Sequence, residues 1–397
     1  MSDPTPSLVE FYRQHGISPV GQDISNLETH FTRRAALYRH LGLLPGMFRG
    51  RSIIEIGPGS GYNSLFTATL APSRYVLLEG NPRGVADIER LFGQHGLRDR
   101  IEIVSALVED YDAPDRFDFV ICEGMLALAG VPDPVALMQR VARLVAPGGV
   151  LVITTIDALS DFAETLRRLF AQLLLDPALP LSEQSARLTP VFSPHLATLA
   201  GMSRPHDDWV VDNLLNPASI GPYLSMPEAI EGLGEAFEVF GTSPRFLTDW
   251  RWYKDIVPGA TRYNALAVEQ YWQHAHNLID HRRLFPARPA EGNQRLYADA
   301  MAVRDQIRAY ETTRDRAVVA SIQARLTDMA GMLGEFSEDI AGAVLEARDL
   351  LAGGHPDADA VARATRFGPW FGRGQQYLTL HRSGAAAEAA GHDGAVL

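Results

Sequence analysis

The run Ile53-Ile54-Glu55-Ile56-Gly57-Pro58-Gly59-Ser60-Gly61 holds the densest chemistry in the chain. An apolar stretch, Ser52 to Ile56, leads straight into three glycines, and a helical stretch follows from about Tyr62 to Leu70. Without Cβ atoms, Gly57, Gly59 and Gly61 let the backbone turn tightly and approach a ligand closely. The helix start behind them favours an anionic group. Strand, glycine turn, helix is the opening of a nucleotide-binding α/β unit. Two carboxylates frame it. Glu55 stands two residues before the first glycine, and Glu79 ends the next strand, Arg74 to Glu79, placed to accept hydrogen bonds from both hydroxyls of a ribose.

The spacing Gly-Pro-Gly-Ser-Gly departs from the Gly-x-Gly-x-x-Gly of dinucleotide sites. With Glu55 and Glu79 it resembles the class I S-adenosylmethionine (SAM)-dependent methyltransferases, whose first motif reads acidic-x-Gly-x-Gly-x-Gly. The resemblance covers about residues 50–155. It implies SAM as cofactor, with Gly57, Gly59 and Gly61 at its carboxylate and Glu79 at its ribose. It also implies adenine near Ser105-Ala106-Leu107, at the end of the third strand, where many members carry an aspartate and this chain has Ser105. Glu123 follows the fourth strand at the rim where cofactor and acceptor meet. It is a candidate for the cofactor's ammonium or for the acceptor.

The elements that must position these groups come in order. Tyr75 to Leu78, Ile101 to Val104, Phe117 to Cys122 and Val150 to Thr154 read as further buried strands. Helices are expected from about Arg83 to Gly96 and from Asp133 to Ala146, the latter with apolar residues near a 3.6 period and stopped by Pro147-Gly148-Gly149. Alternation of this kind implies a parallel sheet with right-handed crossovers. Phe237 to Val239 and Phe246 to Trp252, with Ser243-Pro244 between them, are the expected antiparallel edge pair. The expected fold is therefore α/β: a Rossmann-like, seven-stranded, mostly parallel sheet with an N-terminal helical cap, an insertion lid and a helical C-terminal region.

Residues 1–50 supply the cap, with helices at Ser7 to His15 and about Leu27 to Leu43. The SAM-binding domain is expected over 51–258. It contains a lid at about 176–225, rich in Pro, Ser, Asn and His and without sustained periodicity. Residues 259–382 read as a helical accessory region, with patterns over Thr261 to His281, Asn293 to Thr312 and Asp315 to Leu351, and residues 383–397, rich in Ala and Gly, as a disordered tail.

Composition narrows the partners. The formal net charge is −12 and the apolar fraction 46%, a globular balance that disfavours polyanionic nucleic acid. No run of about 18 apolar residues is present, so neither a membrane span nor a membrane partner is expected. Met1 to Glu10 has no secretion signal, and a cytoplasmic location is expected. The single lysine, Lys254, among many arginines and alanines reads as the coding bias of a GC-rich bacterial genome. Cys122, the only cysteine, sits in an apolar strand as a buried thiol. Monomer and homodimer stay open.

Four clusters compete for the acceptor. Gln22-Asp23 stand near His30, Arg33 and Arg34, which share a helix face and include arginines suited to a carboxylate or phosphate. His206 to Asn213 lies in the expected lid, with Asp208 and Trp209. Asp249 to Asp255 follows the presumed last strand and includes Tyr253. The last is a helix with His274, His276, Asn277, Asp280 and His281; His276 and Asp280 have i,i+4 spacing, but no third ligand is spaced for a metal, and none is expected. His274 and Asn277 read instead as polar pocket lining. The expected pocket lies among the cap, the lid and this helix. The expected reaction is in-line methyl transfer from sulfonium to a small polar acceptor molecule, driven mainly by positioning. A hydroxyl or ammonium acceptor requires a base, for which His206, His30 and Glu123 are the candidates. The rival readings are a nucleic-acid or protein methyltransferase, a non-catalytic SAM-binding subunit, and another nucleoside-cofactor transferase such as an aminopropyl transferase.

Overall fold

The computed structural model describes residues 8–15, 26–112, 115–126, 131–202, 204–257 and 262–384. It divides into two compact units. One comprises the described residues of Pro6–Ile156, Pro222–Tyr271 and Gln375–Leu397; the other comprises Asp157–Gly221 and Trp272–Gly374. The division falls elsewhere than the sequence suggests, because the expected lid and most of the accessory region share one helical unit.

The sheet unit holds seven strands, β1 Ser52–Ile56, β2 Arg74–Leu78, β3 Glu102–Val104, β4 Phe117–Cys122, β5 Val145–Thr155, β6 Phe237–Ser243 and β7 Gln376–Arg382, in the order β3-β2-β1-β4-β5-β7-β6. The first five are parallel, and β7 runs antiparallel to both β5 and β6. The expected α/β sheet is present, with one correction. The partner of β6 is β7, at the far end of the chain, and not Phe246 to Trp252. Trp250 is 92% exposed and Trp252 59%, so that segment cannot fill an interior strand position, whereas Leu378 and Leu380 of β7 are fully buried. Residues 376–382 therefore leave the expected helical accessory region, and 385–397 of the expected tail lie outside the described residues.

Local signals set the helices that flank the sheet. Helix α1 spans Leu8–His15 and α2 Leu27–His40, where Asn26 accepts the Thr29 N–H. Helix α3, Tyr62–Thr69, begins directly after Gly61. Helix α4, Pro82–Gln94, and α5, Pro134–Ala142, each start with proline behind a side-chain cap, Asn81 and Asp133. The fifth strand starts earlier than expected: Pro147-Gly148-Gly149 lies inside β5. On one face of the sheet Ile53, Tyr75, Leu77, Phe119 and Ile121 meet Tyr38, Phe48, Leu65, Phe66 and Phe92. Phe48 stacks on both Tyr38 (5.3 Å) and Phe119 (4.5 Å), which fixes the segment after α2 against the sheet.

The outer edge, β6, is covered from within the unit. Asn264 accepts the Val239 N–H (2.8 Å) and donates to the Phe237 carbonyl (2.8 Å). Gln270 does the same for Thr248 (3.0 and 2.6 Å). At Phe237 and Val239 one side-chain amide thus takes the place of a neighbouring strand, and Gln270 ties down the segment after β6.

In the helical unit the expected lid is largely helical. The helix Phe162–Leu174 before it buries Phe170, and the helices Leu181–Leu196 and His206–Val210 within it bury Leu188, Phe192, Leu196 and Val210. Pro190 and Pro194 inside the second of these helices hide its periodicity in the sequence. The unit closes around Arg167, whose side chain is fully buried. Its Nη2 donates to the carbonyls of Phe367 (3.1 Å), Gly368 (2.8 Å) and Trp370 (2.9 Å), and its guanidinium lies 3.7 Å from the centre of the Phe371 ring. His195 Nε2 donates to Val361 O (2.8 Å), which leaves Nδ1 to accept from Arg167 Nε (3.3 Å). Burial depresses the Arg167 guanidinium to about 10, still charged at neutral pH. Arg167→Ala strands three buried carbonyls and opens a cavity. A loss of about 3 kcal/mol or more in urea unfolding is the expected outcome.

Candidate active site

Strand order reverses between β1 and β4, and the crevice beyond the carboxyl ends of those two strands is where open α/β sheets bind ligands. Gly57, Gly59 and Gly61 leave β1 there with φ of 65°, 60° and 81°, backbone that L side chains rarely adopt. A Cβ on Gly57 would lie 3.0 Å from Met125 Sδ, so the loop and the segment after β4 meet closely.

Glu79 follows β2 with its carboxylate buried. It accepts the N–H of Gly59 (2.8 Å) and of Asn81 (2.7 Å), tying itself to the glycine loop. Burial raises its pKa, and the backbone N–H groups of Asn81 and Gly59 oppose the rise. No arginine or lysine forms an ion pair with it among the described residues. Leu107, after β3, covers Gly80 closely; Ala106 is half-buried beside it, and Ser105 is exposed.

Glu123, after β4, is held from α2. Arg34 donates from Nη1 and Nη2 to its two oxygens, both at 2.8 Å, and each side chain is only 7% exposed. Burial disfavours the Arg34 charge, and Glu123 more than restores it, holding the guanidinium well above its usual range. Arg34 lies 5.1 Å from the centre of the Tyr38 ring, and Tyr38 shares a hydrogen bond with Thr67 of α3 (3.0 Å). His30, one turn earlier, donates from Nε2 to Tyr62 O (3.0 Å). Burial, then Arg34 and Arg33, lower its pKa, so it is neutral at pH 7.

Behind the loop, Glu55 is 4% exposed and accepts a short hydrogen bond from the Tyr75 hydroxyl. Glu55 pairs in register with Leu77, so Tyr75, two residues earlier on β2, shares its face. Burial, then the Glu123 charge, pushes the Glu55 carboxyl up to about 7.

The acceptor candidates do not all join this site. Arg33 is exposed, facing away from the buried His30 and Arg34, so the three do not share a face. Tyr253 is 70% exposed. Gln22 and Asp23 lie outside the described residues. His206, Asp208, Trp209, His274 and Asn277 belong to the helical unit, and their contacts there are largely structural. His206 shares a hydrogen bond with Ser193 (3.0 Å), Trp209 packs edge-on to Phe371 (6.4 Å), and Asp208 is exposed. Asn277 accepts the Phe285 N–H (2.6 Å) and donates to its carbonyl (3.2 Å), closing a turn. His276 donates to Pro286 O (3.1 Å) and Asp280 binds Arg282 (2.8 Å). Sequence reasoning missed the joining of Arg34 to Glu123 across 89 residues and the role of Tyr75. The second had a signal: a tyrosine in an aliphatic strand, on the face of the neighbouring acid.

Residues 53–149 match the family model described as a methyltransferase domain. The ubiquinone biosynthesis O-methyltransferase of Aeromonas salmonicida (strain A449) is 34% identical over 113 residues, covering 28% of this chain and 45% of that protein. A probable histone-arginine methyltransferase CARM1 of Oryza sativa subsp. indica is 27% identical over 132 residues, covering 33% of this chain and 25% of that protein. Among solved structures, a DhpI complex with S-adenosylhomocysteine (SAH) is 25% identical, covers 38% of this chain and 66% of that one, and has a TM-score of 0.28. The chain spans less than half the length of the two curated relatives. Residues 53–149 are a methyltransferase domain similar to those of SAM-dependent methyltransferases, which points to SAM as the cofactor.

The residues present fit that cofactor. Glycine-loop backbone lies at a helix start, and Glu79 is a buried carboxylate without an ion-pair partner at the end of β2. Glu79→Ala is expected to weaken SAM binding by about 1.5–3 kcal/mol in calorimetry, the range for a lost charge-assisted hydrogen bond. Gly59→Val is expected to weaken it more, since a branched residue opposes φ of 60°.

Glu55 also sets a stability trend. Its folded pKa of about 7 exceeds the ordinary 4.5, so between those values the folded chain keeps a proton that the unfolded chain releases. Stability is then highest below the unfolded value and falls as pH rises through about 7. Glu55→Gln is expected to flatten this fall, read as urea midpoints at about pH 5 and about pH 8.

Proposed function

We propose that the chain transfers the methyl group of SAM to a small polar acceptor. The observation that carries this reading is the buried Arg34–Glu123 pair at the β1/β4 crevice. A charged, hydrogen-bonded pair at 7% exposure suits a compact polar molecule better than an apolar tail. The net charge of −12 argues against nucleic acid. Glycine-loop backbone, Glu79 and Leu107 hold the cofactor, which supplies the electrophilic methyl group when bound. Glu123, held by Arg34, orients a cationic or hydroxylated group at the crevice. Glu123 is the base for acceptors that need one, with His30, neutral at pH 7 and one turn before Arg34 on α2, as the second candidate. The chemical step then draws mainly on positioning, a source of up to about 7–11 kcal/mol.

The relatives leave a protein acceptor as the second reading, since one is named for histone arginine. Incubation with methyl-labelled SAM and three acceptor pools separates the two. Label is expected in a low-mass metabolite pool and absent from histones and from RNA. Label in histones alone sinks the small-molecule reading. Glu123→Gln is expected to lower turnover by at least about tenfold while leaving SAM affinity within about threefold.

A further inference from the structure

The charges buried behind the glycine loop balance while Glu55 holds its proton and do not balance when it is ionised. Five ionisable side chains from four elements gather there: Glu55 from β1, Tyr75 from β2, Arg34 and Tyr38 from α2, and Glu123 after β4. Cys122 of β4 and Tyr377 of β7 also face the group, and burial raises the pKa of both, so both are neutral at physiological pH. Tyr38 and Tyr75 are raised likewise, and the nearby His30 is lowered to its neutral form. The charged inventory reduces to Arg34, Glu123 and Glu55. Arg34 gives both Nη groups to Glu123, and that pair is neutral in sum. Glu55, at 4% exposure, is met by neutral hydroxyls, Tyr75 and Ser64, and has no ion-pair partner of its own among the described residues. Ionised there, it is an uncompensated buried charge, and the same carboxyl is the one pushed up to about 7.

Resting on the cofactor reading above, we propose that Glu55 distinguishes the methyl donor from its demethylated product by proton release. Glu55 gives up its proton when the sulfonium form binds and keeps it when SAH binds. The chemistry is a charge count. SAM carries a sulfonium, an ammonium and a carboxylate and is cationic in sum; SAH has lost the sulfonium and is neutral in sum. A cation brought to the β1/β4 crevice supplies the countercharge that Glu55 lacks, so the carboxylate form is stabilised and the proton leaves to solvent. Once the methyl group has gone to the acceptor, the sulfur lone pair is restored, the positive charge is gone, and Glu55 takes a proton back from solvent. Glu55 touches neither the methyl group nor the acceptor in this account; it is a specificity-determining residue for the charge state of the cofactor.

The reciprocal effect is measurable without knowing the acceptor. SAM affinity is expected to rise by about threefold to tenfold between about pH 5.5 and about pH 7.5, with SAH affinity constant within about twofold. Calorimetry of the full chain in two buffers of different ionisation enthalpy is expected to report proton release with SAM and little with SAH. Glu55→Gln is expected to remove both the slope and the released proton. Tyr75→Phe, which deletes the main donor favouring the carboxylate, is expected to move the SAM slope to higher pH, and it tests the idea even where Glu55→Gln fails to fold. Equal slopes and equal proton release for SAM and SAH overturn the inference while leaving the cofactor reading intact. Failure of both ligands to bind overturns the two together.

Discussion

Reversal of the strand order between β1 and β4 leaves a gap that no crossover helix covers, and the chain puts its polar chemistry there. The glycine loop leaves one wall of the gap and Glu123 the other. Each of the five parallel strands delivers its following loop to that end of the sheet. Glu79 after β2 and Leu107 after β3 are therefore near the glycine loop because of strand order alone, although they are far from it in sequence. The antiparallel β7 does the opposite work. It carries the chain's last described strand back between β5 and β6 and so completes the sheet from a segment more than two hundred residues beyond β5.

Burying charge at the gap constrains the neighbouring helix. Glu123 at 7% exposure requires a partner, and α2 supplies Arg34 from the same face that carries His30 and Tyr38. The helix is thus positioned by an ion pair, a backbone contact to Tyr62 and aromatic stacking on Phe48, three interactions of different kind along one stripe. Taking one partner from such a pair is costly because the other remains buried and charged. The helical unit follows the same logic with a different solution: Arg167 satisfies most of its donors on backbone carbonyls, where α2 uses a carboxylate.

The parts of the chain legible in the sequence are those governed by local rules. Gly57, Gly59 and Gly61 are readable because the turn they make requires glycine, and β1 to β5 because buried parallel strands are continuously apolar. Helices α4 and α5 announce themselves with Asn81-Pro82 and Asp133-Pro134. What escaped reading depends on distance. β7 reads like any half-apolar stretch until β5 and β6 are seen to lack a neighbour. The helix at Leu181–Leu196 carries two prolines that mimic a loop. Arg34 and Arg33 are adjacent in sequence, and nothing in their types says which one turns inward. Asn277 looked like pocket lining because its other role, closing a turn to Phe285, requires knowing where Phe285 is.

The amide of Asn264 on the outer edge of the sheet has a consequence for the protein as a colloid. An open β6 edge offers alternating donors and acceptors to any extended chain, its own copies included. Asn264 withdraws the Phe237 carbonyl and the Val239 amide from that offer. Deamidation of Asn264 to aspartate would turn its donor into a second acceptor facing a carbonyl. The Phe237 carbonyl would lose its donor, while the Val239 N–H would keep its acceptor. For this chain, chemical ageing of one asparagine therefore bears on the outer edge of the sheet rather than on its buried strands.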